Sequence, residues 1–318
     1  MNISIVTTMY RSATYLPEFY TRIKKNISKL GLSHEIIMVN DGSPDDSLDV
    51  AIGIQQQDPC VKVIDLSKNF GHHKAILSGL SHTKGDLVFL LDCDLEEEPE
   101  NLEIFYEEWL QGNNEYDVIF GVQQEREGTF YRKIAGDLFY KLFNLVSDQK
   151  IPKNPCTIRL MTRRYVRSLL EFKDQNVFLA AMYEKVGYKQ KPLAIKKTYK
   201  GSSSYNLIKK LTLMMDGVTS FSSRPLLLIM GSGFFIAFLS LTYAFFLVFQ
   251  KVFFQSVIGG WTSVMVSIWL MSGLIIFSVG VVGIYISKIF NETKNRPISV
   301  IRKIYEEGHG DYESVNNR

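Results

Sequence analysis

Acidic residues follow an apolar segment at a spacing that suits a metal ion. The turn Asp92-Cys93-Asp94-Leu95-Glu96 comes directly after the apolar run 87–91. Carboxylates at positions i and i+2, with a third two residues further on, can converge on one hard divalent cation. Mg²⁺ and Mn²⁺ favour such oxygen ligands together with substrate phosphates. A solvated acidic turn is the alternative, and this motif alone leaves both interpretations open.

Several other common sites are excluded by the sequence. It contains no Gly-x-x-x-x-Gly-Lys-Ser/Thr loop, no Gly-x-Gly-x-x-Gly after the first apolar run and no Gly-x-Ser-x-Gly. No His-Glu-x-x-His or paired cysteines supply a zinc site. The three scattered cysteines indicate a reducing compartment. His72 and His73 begin a predicted helix, where a surface role and catalysis both stay open. A metal-bridged diphosphate site is the chemistry that remains.

The elements that position these residues alternate along the chain. The pattern predicts strands over 3–10, 34–41, 61–66 and 86–92, with helices over 14–30, 45–57 and 72–83. Such alternation predicts an α/β fold with a mostly parallel sheet that is covered on both faces. Ligands of these sheets gather at the carboxyl ends of the strands. Polar clusters stand at three of those ends, at 40–43, 67–71 and 92–94.

Two long uncharged segments lie in the C-terminal third, at 225–249 and 262–287. About 20 apolar residues cross a bilayer as a helix, so we predict two transmembrane helices; buried core helices are the alternative. Basic residues precede the first segment and follow the second. The positive-inside rule therefore predicts an inner (plasma) membrane protein that crosses more than once, with the catalytic domain and both termini in the cytoplasm.

The net charge of +3 is a sum over three unlike regions. Residues 1–184 hold 20 basic and 27 acidic residues, a net of −7, and residues 185–224 hold 9 and 1, a net of +8. Residues 225–318 hold 7 and 5, a net of +2. The basic segment 185–224 directly precedes the uncharged segment 225–249. At a membrane surface, anionic headgroups attract each basic residue by roughly 1 kcal/mol. We therefore expect a bilayer partner and no nucleic acid.

Four segments together resemble a known family. They are ISIVTTMY, VNDGSPDDS, SKNFGHHKAILSGL and GDLVFLLDCDLEEEPE. The combination is similar to the family 2 glycosyltransferases of GT-A fold. Within that family it resembles the polyprenyl-phosphate branch, which includes dolichol-phosphate mannose synthase and bacterial undecaprenyl-phosphate sugar transferases with two C-terminal membrane helices. The resemblance covers about residues 3–290.

The resemblance implies four regions along the chain. It places a cytosolic GT-A domain at 1–200 and a basic amphipathic juxtamembrane segment at 201–224. The two transmembrane helices then occupy 225–290, and a cytosolic tail covers 291–318. Copies of the chain are expected to associate through the membrane helices.

Site residues follow from the same resemblance. It assigns nucleotide-sugar binding to Thr8, Met9, Tyr10, Asp41, Asp92 and Cys93. Metal binding, by Mg²⁺ or Mn²⁺, falls to Asp94 and Glu96, and the catalytic set is Asp92, Asp94 and Arg159. Two interpretations of the basic segment stay open. In one, the lipid phosphate is bound by Arg159, Lys200, Ser202, Ser203 and Arg224. In the other, an amphipathic helix in this segment is only attracted to anionic headgroups.

Three positions depart from the family's usual residues. Thr157 stands where an aspartate is usual, Val177 where an arginine is usual and Ser204 where a lysine is usual. A lipid phosphate needs no general base because its oxygens are already anionic near neutral pH, since the second pKa is about 6. An alcohol acceptor needs such a base. The loss of the aspartate therefore favours the phosphate acceptor.

The expected activity is transfer of a sugar from a UDP- or GDP-linked donor to polyprenyl phosphate, with inversion at the anomeric carbon. Two alternatives stay open. One is a transferase that acts on an alcohol of a lipid-linked glycan. The other is a catalytically silent membrane scaffold that binds a nucleotide sugar.

Overall fold

The structure is a computed structural model that describes residues 2–113, 115–123, 155–197, 222, 224–254 and 260–307. The strands are β1 (Asn2–Met9), β2 (Ser33–Asn40), β3 (Val61–Leu66), β4 (Leu87–Leu90), β5 (Val118–Gln123), β6 (Pro155–Thr162), β7 (Gln190–Ile195) and β8 (Ile301–Tyr305). The helices are α1 (Leu16–Leu30), α2 (Ser47–Gln57), α3 (His72–Leu80), α4 (Asn101–Gln111), α5 (Arg163–Glu171), α6 (Leu179–Lys185), α7 (Arg224–Phe254) and α8 (Trp261–Thr293).

The strands of the described chain form one sheet in the order β7-β5-β6-β4-β1-β2-β3-β8. The four strands predicted from the sequence form its parallel centre, β4-β1-β2-β3. Strand β6 runs antiparallel to both β4 and β5, while β7 is parallel to β5. The predicted mostly parallel α/β sheet is therefore confirmed.

Apolar side chains on both faces explain why the central strands are buried. In β1, Ile3, Ile5 and Val6 are almost completely buried. Helix α1 covers one face because its apolar residues recur every three or four positions and so form one stripe; they are Leu16, Phe19, Ile23 and Ile27. Phe89 of β4 meets Phe105 of α4 edge to face, with ring centroids 5.8 Å apart. The covered sheet leaves its strand ends free to carry polar side chains.

The last strand is a feature that the sequence analysis does not anticipate. Strand β8 lies in the predicted cytosolic tail and pairs antiparallel with β3. Lys62 and Glu306 support the pairing with an ion pair of 2.8 Å. Arg302 donates a hydrogen bond to the carbonyl of Ser67 at 2.7 Å and lies 3.4 Å from Asp65. Part of the tail therefore belongs to the sheet.

The described residues divide into two compact units: 2–113, 115–123, 155–197 and 296–307 belong to the first, and 222, 224–254 and 260–295 to the second. Helices α7 and α8 belong to the second unit, and their large apolar side chains are mostly exposed. Of the described residues, 267–293 form one helix that is long and apolar enough to cross a membrane, with a mean hydropathy of 2.1. Residues 226–240 form a shorter apolar helical stretch. The second of the two predicted spans is thus supported, and the first stays a prediction.

Candidate functional site

Parallel pairing brings the segments after β1, β2 and β4 to one edge of the sheet. Met9 is the register partner of Asn40, and the amide of Asp41 donates to the carbonyl of Met9 at 3.1 Å. On the other side of β1, the amide of Leu91 donates to the carbonyl of Val6 at 3.2 Å. The acidic turn and the Asp41 loop therefore flank the end of β1, as the sequence predicts.

Asp41 is buried and shapes the loop that precedes α3. Its two carboxylate oxygens accept the backbone amides of Phe70 at 2.7 Å and Gly71 at 3.0 Å. Burial raises the pKa of Asp41, while these two hydrogen bonds oppose the rise. The next residue, Gly42, has a φ of 59°, and a Cβ there would lie 2.5 Å from backbone atoms of Lys68 and Asn69. Only glycine fits this close approach.

A cavity of about 160 Å³ opens beside this loop. The residues around it are Thr8, Met9, Tyr10, Asp41, Asn69, Gly71 and His72. Four of the predicted nucleotide-binding residues therefore lie together. The side chain of Met9 is fully buried in the core, whereas Tyr10 is exposed. The Cys93 thiol is also buried, and it donates to the carbonyl of Thr8 at 3.1 Å.

The acidic turn after β4 is held by Leu95. This residue has a φ of 61°, in the left-handed region that non-glycine residues seldom adopt, and its side chain is only 5% exposed. Burial of an apolar side chain stabilises the turn against that strain. The amide of Glu96 donates to Asp94 at 2.9 Å. Within the described parts of the chain, no group of three or more His, Cys, Asp or Glu residues is arranged to hold a metal ion.

Glu97 and Lys197 are site residues that the sequence analysis misses. Glu97 is fully buried and accepts the backbone amides of Thr157 at 3.0 Å and Ile158 at 2.9 Å. Burial, followed by the negative charge of Asp92, raises the pKa of Glu97 to about 8. The ammonium of Lys197 lies 3.1 Å from Glu96 and 3.8 Å from Glu97. Glu96, predicted as a metal ligand, is therefore already engaged with a cation.

Arg159 lies in a second cavity, of about 140 Å³, next to the acidic turn. It is 4% exposed, and its guanidinium stacks 3.4 Å above the ring of Tyr183. Its Nε donates to the carbonyl of Thr157 at 3.2 Å, and its Nη2 to that of Cys156 at 3.3 Å. No carboxylate oxygen of the described residues lies within 4 Å of its guanidinium. Glu184 lines the same cavity, where burial raises its pKa and the charge of Arg159 opposes the rise. Buried charges usually have an ion-pair partner, so the position beside Arg159 suits an anion.

The two histidines that begin α3 also face these cavities. His72 lines both, and His73 lines the Arg159 cavity. His73 lies 3.2 Å from the carbonyl of Val177, and burial lowers its pKa, so its imidazole is neutral near pH 7. In the sequence, the position of His72 and His73 just after a predicted strand indicates that they lie at the edge of the sheet where ligands bind.

Several predicted lipid-phosphate residues cannot be placed beside Arg159. Lys200, Ser202 and Ser203 lie outside the described residues, as does the predicted juxtamembrane segment 201–224 apart from positions 222 and 224. Arg224 begins α7, in the second unit, and its amide donates to the hydroxyl of Ser222 at 3.1 Å. The roles predicted for these residues stay predictions.

Comparison with known proteins decides the family. Residues 4–170 match the family described as Glycosyl transferase family 2. The chain belongs to glycosyl transferase family 2. This glycosyltransferase is 44% identical over 305 residues to a protein of Mycobacterium tuberculosis (strain CDC 1551 / Oshkosh) that is named as a glycosyltransferase, with 96% of this chain and 89% of the relative covered.

Relatives of this glycosyltransferase include proteins with a named acceptor. It is 31% identical over 306 residues to the bactoprenol glucosyl transferase of Shigella phage SfX, with 95% of this chain and 99% of the relative covered. Among solved structures, mannosyl-3-phosphoglycerate synthase from Rubrobacter xylanophilus is 16% identical with a TM-score of 0.48, over 69% of this chain and 72% of that one. The family model and the relatives, at 44% and 31% identity, confirm the family resemblance seen in the sequence.

Proposed function

We propose that this glycosyltransferase moves a sugar from a nucleotide-sugar donor to the phosphate of a polyprenyl lipid. The observation that carries the proposal is Arg159, a buried guanidinium in a cavity where no carboxylate of the described residues pairs with it within 4 Å. The relatives named as bactoprenol glucosyl transferases support a polyprenyl acceptor. A lipid phosphate would supply Arg159 with the ion-pair partner that Glu184, on the wall of the same cavity, does not provide.

The donor is assigned to the other cavity. Thr8, Tyr10 and Asp41 surround a space at the end of β1, where ligands of parallel sheets bind. His72 lines both cavities and lies 3.5 Å from Asp92, so the acidic turn is close to the boundary between them. A nucleoside bound beside Thr8 would therefore direct its diphosphate toward Asp92 and Asp94, with the sugar facing Arg159.

A divalent cation fits the acidic turn, although no three-ligand cluster exists there. Mg²⁺ keeps several waters and is commonly held by one or two carboxylates plus substrate phosphates, so Asp94 together with the donor diphosphate meets its needs. Glu96 would bind the cation only after its ion pair with Lys197 is broken. When bound, the cation would neutralise charge on the departing diphosphate. Whether Mg²⁺ or Mn²⁺ serves is part of the test.

The chemistry is a single displacement. A phosphate oxygen of the acceptor forms a bond with the anomeric carbon as the bond to the donor diphosphate breaks, so a nucleoside diphosphate leaves and the anomeric configuration inverts. The acceptor oxygen carries no proton near neutral pH, and a base at position 157 is not needed. Arg159 holds the acceptor phosphate in line, and positioning of this kind can supply much of the rate increase.

A membrane hairpin agrees with the connectivity of the sheet. Strand β7 ends at Ile195 before the apolar helices, and β8 begins at Ile301 after them, yet both belong to one sheet. The chain between β7 and β8 must therefore cross the membrane an even number of times. With 267–293 as one span, α7 would supply the other. The sheet and both ends of the hairpin would then lie in the cytoplasm, where nucleotide sugars and the lipid phosphate meet.

The test uses the purified full-length protein in detergent with UDP-glucose, GDP-mannose and other labelled donors. Each donor is offered with undecaprenyl phosphate or with undecaprenol, in Mg²⁺, in Mn²⁺ or in excess EDTA. We expect transfer to the phosphate only, with loss of transfer in EDTA. Transfer to the alcohol alone would contradict the proposed phosphate acceptor. Donor binding with no transfer to either lipid would favour a scaffold.

A further inference from the structure

His72 connects the end of β1 with the acidic turn. It is the first residue of α3, after Gly71 with a φ of 97°, and its side chain is 44% exposed. Its Nδ1 lies 3.1 Å from the hydroxyl of Thr8, and its Nε2 lies 3.5 Å from a carboxylate oxygen of Asp92. The imidazole therefore lies between a residue of the donor cavity and the first aspartate of the turn.

A hydrogen bond from His72 to Asp92 requires hydrogen on Nε2. An ionised carboxylate only accepts hydrogen bonds, so the nitrogen that faces Asp92 must be a donor. In the neutral ring, Nε2 is protonated and Nδ1 accepts from the Thr8 hydroxyl. In the imidazolium form, Nε2 is protonated as well and Nδ1 donates to Thr8. The orientation toward Asp92 is therefore the same in both forms.

Asp92 needs such a partner because it lies among other carboxylates. Burial, followed by the negative charge of Asp92 and more weakly that of Asp94, raises the pKa of Glu97, so negative charge on this turn is unfavourable for its neighbours. Lys197 pairs with Glu96 and Glu97 on this turn. No Lys or Arg nitrogen of the described residues lies within 4 Å of Asp92, and His72 is its cationic or donor partner there.

We propose that His72 is a positioning residue that directs Asp92 toward the donor. It acts through the Nε2–H that faces Asp92, and the contact with Thr8 fixes the ring. The proposal rests on the proposed function only in that Asp92 contacts the nucleotide sugar. It does not depend on the identity of the acceptor.

Two substitutions separate positioning from a general structural role. The amide nitrogen of glutamine reaches the place of Nε2, whereas the shorter amide of asparagine reaches only the place of Nδ1. His72→Gln therefore keeps a donor toward Asp92 and His72→Asn does not. Loss of a group that orients a ligand-binding side chain typically costs 10- to 100-fold. We expect His72→Asn to weaken donor binding within that range and His72→Gln to lose less than tenfold.

The experiment measures Mn²⁺-dependent binding of UDP-glucose, and of GDP-mannose, to the full-length protein in detergent without any lipid acceptor. Calorimetry gives the affinity of wild type, both His72 variants, Asp92→Asn and the double variant of His72→Asn with Asp92→Asn. In the Asp92→Asn background, His72→Asn should have no further effect.

Three outcomes would overturn the inference. Equal losses in the two His72 variants would contradict it, as would affinities unchanged by either. Additive losses in the double variant would contradict it too. If wild type binds the donor but does not modify polyprenyl phosphate, the proposed acceptor is wrong. The donor affinities of the two His72 variants, compared with wild type, still decide the role of His72. If wild type binds neither donor, the proposed function and this inference both fail.

Discussion

Replacing Arg159 by methionine removes the charge from the cavity proposed for the acceptor phosphate. Two of the five N–H groups of a guanidinium already donate here, to the carbonyls of Thr157 and Cys156, which leaves three for a ligand. A hydrogen bond to a charged group contributes about 1.5–3 kcal/mol. Two such bonds to one phosphate correspond to about 3–6 kcal/mol, or a loss of roughly 10²- to 10⁴-fold in kcat/KM for the acceptor.

Arg159→Lys gives an intermediate value under the same reasoning. The ammonium keeps the charge but loses the planar fork and the stacking on Tyr183, which contributes about 0.5–2 kcal/mol. Arg167, an exposed arginine on α5, provides the matched control, because Arg167→Met removes the same charge from the same unit. We expect that control to keep nearly full activity.

The assay measures kcat/KM for undecaprenyl phosphate at saturating donor, together with the donor KM and association with anionic vesicles. Arg159→Met should lower kcat/KM for undecaprenyl phosphate and leave the donor KM and vesicle association near wild type. Parallel losses in transfer and vesicle association would indicate that Arg159 only attracts the membrane. Activity within a few-fold of wild type would refute the assignment of the cavity.

Three further predictions address the metal, the fold and the membrane. Asp94→Asn should abolish Mn²⁺-dependent donor binding, measured by calorimetry, while Glu96→Gln should lose much less because Lys197 already pairs with it. Asp58→Asn should lower the thermal midpoint at pH 7, since hydrogen bonds from lysine and tyrosine partners overcome burial and lower the pKa of Asp58 to about 2. The lowered pKa contributes about 2 kcal/mol to the free energy of unfolding above pH 4, and this contribution is lost as the pH falls through 2. The difference in thermal midpoint between wild type and Asp58→Asn should therefore vanish near pH 2. Ser256→Cys, between the two predicted spans 225–249 and 262–287, should react with an impermeant maleimide from outside intact cells, and labelling only after lysis would contradict the hairpin.

The central sheet could be predicted because each strand carries its own local signal. Buried parallel strands are short apolar runs, and β1, β2, β3 and β4 begin and end within a few residues of the predicted bounds. The same rule predicts that Asp41 and Asp92 share one edge. Strand β8 was not predicted because Ile301–Tyr305 contains two basic residues and so is not an apolar run. It lies at the sheet edge, where only one side of the strand is paired. Local periodicity does not reveal a pairing partner more than 200 residues away.

Long-range pairing also explains the site residues that were missed. Glu97 is one of three consecutive glutamates, and nothing local shows that it turns inward to accept the amides of Thr157 and Ile158. Lys197 belongs to a basic stretch that reads as a membrane-facing segment, yet its ammonium contacts Glu96. Chain topology, which composition does not specify, brings these charges together.

The most direct test of the proposed transfer is mass spectrometry of the lipid product made by the purified wild-type protein from UDP-glucose or GDP-mannose and undecaprenyl phosphate. We expect a lipid heavier by one hexose residue, whose fragmentation releases a hexose phosphate. We also expect that Asp94→Asn makes none. A product with the sugar on any group other than the phosphate, or unchanged lipid with both donors, would contradict it.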